Sequence, residues 1–282
     1  MRVVSLSLIW LAALSPVAAS ATIDSSAAAT APASHDMCTT PAGWAKPFTH
    51  VYHLRNGAKL VFVGVEHTDD ITDETHRQIK AAVEHYRPGF VLVEGVSSAK
   101  SGFDWYLKDI ANLARHRTDG GAASENLYAV KLALDSGAHF SGWDFSPDQD
   151  YKVLVEDKVA IADALGAHLL RSKVNPFDRE SAASSVERQV RYAATVAPVA
   201  SFDYAAWYRQ AYGEQYDPAN GTPCGKGIGS RVVKDLSYRR NLNLTSLIEA
   251  HAQPGQTLLV EAGANHWLAL KDWLATRSLA SS

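Results

Sequence analysis

Short apolar runs punctuate this chain at intervals, and four of them stop in an acid or a histidine. Residues 60–63 run into Gly64-Val65-Glu66-His67. Residues 90–93 run into Glu94-Gly95, residues 139–143 into Asp144, and residues 257–260 into Glu261-Ala262-Gly263-Ala264-Asn265-His266. Runs of this length, apolar at nearly every position, read as strands buried on both faces. A further strand at 51–54 precedes the first, across the hairpin turn signal Asn56-Gly57. Between the strands the apolar period changes to helical. Residues 72–87 place Ile79 and Val83 on one face and end at Pro88. Helices are also expected at 101–117, 124–136, 230–250 and 267–276. Residues 151–212 are helical throughout, broken near Asn175-Pro176 and Ala197-Pro198, and residues 217–229 form a Gly- and Pro-rich loop.

Strands alternating with helices predict an α/β fold: a mixed, mainly parallel central sheet flanked by helices. The helical stretch of about 151–229 is an insertion over the strand C-terminal ends. In an open sheet those ends form the ligand crevice, so the polar residues that close the strands belong to one site assembled from distant parts of the chain.

The chain start changes how much of this folds. Met1-Arg2, the apolar stretch that follows, and small residues around Ala19 and Ala21 read as a secretory signal peptide over 1–21. Residues 22–43, rich in Ala, Ser and Thr, read as a disordered spacer. Residues 44–282 are then a single domain, in a protein that is exported, periplasmic or secreted. The hydrophobic content of 46% suits a globular core, and a net charge of −3 without a basic cluster disfavours nucleic acid. No second apolar segment is long enough for a membrane span. Two cysteines, Cys38 and Cys224, leave open either one disulfide in an oxidising compartment or two free thiols.

The two Gly-x-x-His spacings, ending at His67 and His266, mean little alone: 18 glycines and 11 histidines in 282 residues give about 0.7 by chance. Their position at strand ends gives them weight, with rim histidines bonded to backbone as the alternative. Glu94 ends a fully apolar strand, where a carboxylate needs an ion partner, hydrogen bonds or a metal. Arg240 falls in the stripe of Val233, Leu236, Leu244 and Leu247, so it meets either an internal carboxylate, Glu94 being one candidate, or a substrate oxyanion. Asn241 follows it with a further hydrogen bond. Glu66, Asp144, Glu261 and Glu125 stand as residues that orient a histidine or that cap and turn the chain. Gly-x-Ser-x-Gly and His-Glu-x-x-His are both absent from the sequence, and Gly225-Lys226-Gly227 lacks the context of a phosphate loop.

These motifs, in this order, resemble the TraB/PrgY/GumN family, which includes the Tiki metalloproteases. The resemblance rests on Gly64-Val65-Glu66-His67, on Arg87-Pro88 followed by the strand ending in Glu94-Gly95, on Arg240-Asn241, and on Gly263-Ala264-Asn265-His266. It spans about residues 51–273 and departs at Glu66 and in the helical middle. It implies an α/β core related to erythromycin-esterase-like and haem-binding ChaN-like proteins. It also implies metal ligation by His67, Glu94 and His266. The expected protein is a metal-dependent, peptidase-like hydrolase using Mn, Co or Zn on a peptide or small-molecule substrate. Glu66 would be the general base and Arg240 the oxyanion partner, with Asn241 beside it. The alternatives are a metal-independent esterase-like hydrolase and a non-catalytic peptide- or haem-binding protein.

Overall fold

Strand alternation sorts the apolar side chains onto the two faces of one sheet. In the computed structural model, which describes residues 33–199 and 201–279, the strands are β1 (Phe48–His53), β2 (Lys59–Val65), β3 (Phe90–Ser97), β4 (His139–Asp144) and β5 (Thr257–Gly263). Their spatial order is β1-β2-β5-β3-β4, with β1 antiparallel to β2 and the other pairs parallel. The expected signal peptide and residues 22–32 of the spacer lie outside the described residues.

One sheet face carries Val61, Val63, Val65, Val91, Val93 and Leu259. It is covered by α1 (Glu74–Tyr86), α2 (Asp104–Asp119) and α3 (Glu125–Ser136), which contribute Ile79, Val83, Ala114 and Val130. The other face carries Leu60, Phe62, Leu92, Leu258 and Val260. It packs on Leu244 and Ile248 of α8 (Gly227–His251) and on Leu270 and Leu274 of α9 (Ala264–Arg277). Burying each such side chain stabilises by about 1.5–3 kcal/mol. The mixed, mainly parallel α/β sheet expected from the apolar periods is what forms.

The helical insertion comprises α4 (Pro147–Glu156), α5 (Ile161–Arg171), α6 (Arg179–Ala193), α7 (Tyr204–Tyr212) and a 3-10 turn, Pro218–Gly221. It has its own apolar interior, in which Tyr151, Leu154 and Leu165 meet Val232, Val233 and Leu236 at the start of α8. The end of α5 and residues 221–223 line the cavity above the strand ends. Among the described residues no helix is long and apolar enough to cross a membrane.

Over residues 33–43 the structure departs from the expected disordered spacer. Ala33 and Met37 are buried, the Ser34 N–H donates to Ala269 O at 2.8 Å, and the His35 ring stacks on Tyr238 at 3.9 Å. Cys38 is disulfide-bonded to Cys224, 186 residues away in sequence. The mean composition of the stretch hid one methionine and one cross-link, which together are enough to dock it. Replacing both cysteines by serine should destabilise the protein by about 2–4 kcal/mol through the freed chain entropy. Denaturant unfolding of the variant against the oxidised protein measures this, and coincident curves would remove the clamp from the account.

Candidate functional site

β5 is the last strand in sequence but lies between β2 and β3, so it brings three chain segments together at one edge. Val65 of β2 pairs with Gly263 of β5, and Leu92 of β3 with Val260. Beyond Leu92 the regular β3–β5 pairing stops, and the β3–β4 register shifts between Val93 and Ser97. Gly95 sits in this irregularity at φ 68°, where an added Cβ would lie 2.4 Å from Asn126 Nδ2. Bulges of this kind re-aim side chains beside sites. Here Glu94 Oε2 accepts the Gly263 N–H at 2.6 Å. The Glu94 N–H, released from the regular ladder, donates to Glu261 Oε2 at 3.0 Å.

His67 follows β2 directly, and His266 lies in the first turn of α9, which begins three residues earlier than the apolar period predicts. Both rings are gripped at Nδ1. His67 Nδ1 is 2.5 Å from Glu125 Oε1, and His266 Nδ1 is 2.6 Å from Asn241 Oδ1. Asn241 Nδ2 in turn donates to Met37 Sδ at 4.0 Å. A thioether only accepts, so it selects the amide end that faces His266. Acceptors at both Nδ1 atoms turn Nε2 inward on each ring. His266 Nε2 is 3.5 Å from Glu94 Oε1. A Cβ built on Gly263 would sit 3.3 Å from Glu94 Oε2 and 3.4 Å from His67 Nε2. Thus His67, Glu94 and His266 face one region of backbone. Among the described residues, however, no group of three or more His, Cys, Asp or Glu stands at metal-ligand spacing.

The charges in this region are unequal. The hydrogen bond that His67 donates to Glu125 raises the His67 pKa to about 9, against the effect of desolvation. Burial pushes the Glu94 carboxyl up, but His266, His67 and the Gly263 amide outweigh it and hold Glu94 below the usual carboxylate range. Glu261 is driven the other way, by complete burial and then by the Glu94 and Glu125 charges. The two neighbouring carboxyls are pushed in opposite directions, Glu94 toward its ionised form and Glu261 toward its protonated form.

Arg240 meets internal carboxylates, the first of the two kinds of partner expected of it. Its Nε is 2.9 Å from Asp144 Oδ1 and its Nη2 2.6 Å from Asp150 Oδ2, so internal aspartates, and not Glu94, hold it. Asp144 orients this arginine and no histidine. Glu261 likewise orients the Glu94 backbone and no histidine. Asn241 positions His266, and Glu125 positions His67. Glu66 is exposed at the rim of the cavity, an open space of about 830 Å³ that His67, Glu94, Arg240 and His266 also line.

Asp150, His168 and Arg171 were not foreseen. Asp150 is buried in the first turn of α4, and burial pushes its carboxyl up to about 6 against the pull of Arg240 and Arg171. The signal for it lay in Arg240, whose apolar stripe demanded an anion. The signal for His168 is a single imidazole in the run 164–170, which is buried all round.

Two outcomes follow. Asn241→Leu should leave the His266 Nδ1–H without an acceptor, cost about 1–3 kcal/mol, and move the ring proton to Nε2, toward Glu94. Imidazole nitrogen NMR reads the tautomer, and an unmoved Nδ1 proton would contradict the positioning role of Asn241. For Asp150 the folded-state pKa of about 6 lies above the ordinary 3.8. Its contribution to stability is therefore fully present below pH 3.8 and lost as pH rises through about 6. The stability difference between wild type and Asp150→Asn should change in that direction between pH 4 and 7 in denaturant melts.

No family model, curated protein or solved structure matches this chain.

Proposed function

We propose that this chain is an exported, metal-dependent hydrolase acting on peptide-like amides, with His67, Glu94 and His266 as donors to a divalent cation. The observation that carries this reading is the grip on Nδ1 of both imidazoles, by Glu125 at 2.5 Å and Asn241 at 2.6 Å. It turns both Nε2 atoms toward an ionised carboxylate. Ligating histidines are held in this way by carboxylate or carbonyl partners. The donor set fits: two imidazole nitrogens and one carboxylate suit Mn, Co or Zn. Ligation requires His67 to lose its Nε2 proton while it keeps the Nδ1–H that Glu125 accepts, and Glu94 to loosen from the Gly263 N–H. His67, with 67% of its side chain exposed, is the donor with room to move.

A divalent cation there supplies acidification of water and polarisation of a carbonyl. Glu66 and Glu94 are the carboxylates that line the cavity. Glu94 is hydrogen-bonded to backbone, which leaves Glu66 as the group to take a proton from water. With Nε and Nη2 on aspartates, Arg240 serves to fix the insertion to the sheet. A cavity of about 830 Å³ has room for a short peptide. The Cys38–Cys224 disulfide and the leader-like chain start support export. The motif order shared with the TraB/PrgY/GumN family supports the same assignment.

The metal-independent reading needs His67 as a base. At a pKa of about 9 the ring already carries its proton at neutral pH, which weakens that reading. Elemental analysis of purified protein should find close to one divalent ion per chain. That ion should be lost in His67→Ala and in His266→Ala, and affinity should drop roughly ten- to a hundredfold in Glu125→Gln. Full metal content in both alanine variants would sink the ligand assignment. Peptide cleavage that survives exhaustive chelation would restore the metal-independent reading, and tight peptide or haem retention without product would favour a binding protein.

A further inference from the structure

The cavity has a second chemical wall. Arg171 closes α5 and lines the cavity beside Ser172, Gly221 and Thr222. Its side chain keeps 38% exposure. Among the described residues no acceptor hydrogen-bonds to its guanidinium. The carboxylate it approaches, Asp150 Oδ2, is 3.9 Å away, and Arg240 Nη2 already holds that oxygen at 2.6 Å. A guanidinium presents five donors in a fixed fork that matches a carboxylate, so Arg171 carries unmet donor capacity into the cavity.

One helical turn earlier on the same wall, His168 has a side chain only 9% exposed, and its Nε2, 4.0 Å from Asp150 Oδ2, has no hydrogen-bond partner. Unpaired buried polar atoms are uncommon and call for an explanation. The platform beneath both is tightly built. A Cβ on Gly221 would fall 2.3 Å from the Leu170 carbonyl carbon and 2.7 Å from the Arg171 nitrogen, so the 3-10 turn is pressed onto the end of α5. Cys224, three residues on, is anchored by the disulfide.

The geometry points to a carboxylate-binding subsite formed by Arg171 with His168, which selects peptides that carry a free carboxylate, terminal or on a side chain. As a statement about substrate it rests on the hydrolase reading; as a statement about binding it does not. Bound there, the carboxylate accepts the Arg171 fork and the rest of the peptide extends along the cavity toward His67, Glu94 and His266.

The test compares alanylalanine, its C-terminal amide, and glutamylalanine amide, which keeps only a side-chain carboxylate, by calorimetric titration at millimolar concentration. At least one acid-bearing dipeptide should bind roughly ten- to a hundredfold more tightly than alanylalanine amide, the range expected of a charge-assisted contact. Which of the two does so identifies the carboxylate. Arg171→Gln should abolish the preference and Arg171→Lys should retain part of it, both with an unchanged melting temperature. Equal binding of acid and amide, no binding of any, or an intact preference in Arg171→Gln would overturn the subsite. Preference for the acid without product release from any peptide would keep the subsite and remove the hydrolase reading. Cleavage of acids and amides with equal kcat/KM would do the reverse.

Discussion

A carboxylate buried at the end of a strand must be met by donors, and the way Glu94 is met organises this molecule. Its Oε2 accepts the N–H of Gly263, the residue that caps α9, where the helix presents its positive end. That bond ties β3 to the last helix across the central strand. A Cβ at Gly263 would press on Glu94 Oε2 and His67 Nε2 and displace both by a few tenths of an ångström. The neighbouring Glu261 is fully buried and is pushed toward its neutral form, which lessens the second charge the core must hold.

A second buried ionic knot, Asp144–Arg240–Asp150, joins the end of β4, the middle of α8 and the start of α4. Removing one partner of such a group costs about 3–5 kcal/mol, because it strands a charge. The insertion is therefore fastened at the point where it overhangs the strand ends. The cavity wall that carries His168 and Arg171 is held in place from below by this knot and from the side by the Cys38–Cys224 bridge.

Much of this was legible in the residues. The periods of two and of 3.6 locate the strands and helices, and the polar strand ends point to one edge of the sheet. Glu125 was expected either to orient a histidine or to sit as a first-turn acid, and the structure gives it His67. What was not legible depends on contacts between segments far apart in sequence. That β5 enters between β2 and β3 is a matter of strand order, which periodicity does not encode. The partners of Arg240 were hidden because Asp150 looks like an ordinary first-turn acid until the helix is seen from inside. The helix start ahead of His266 was not legible because Gly263 ends a strand and caps a helix at once. Met37 was masked by its Ala- and Ser-rich surroundings, although its sulfur ends the chain of contacts through Asn241 to His266.

The central position of β5 also sets the order in which the molecule is completed. Until residue 263 is available, β2 and β3 face each other across a slot one strand wide, roughly 10 Å, each with an unpaired edge. A chain emerging from its N-terminus thus carries two sticky edges until residues 257–263 arrive. The strand that seals the sheet is the same one that delivers Gly263 and His266. Closure of the sheet and assembly of the site are one event, so a chain cut short before β5 is left both open-edged and without its site.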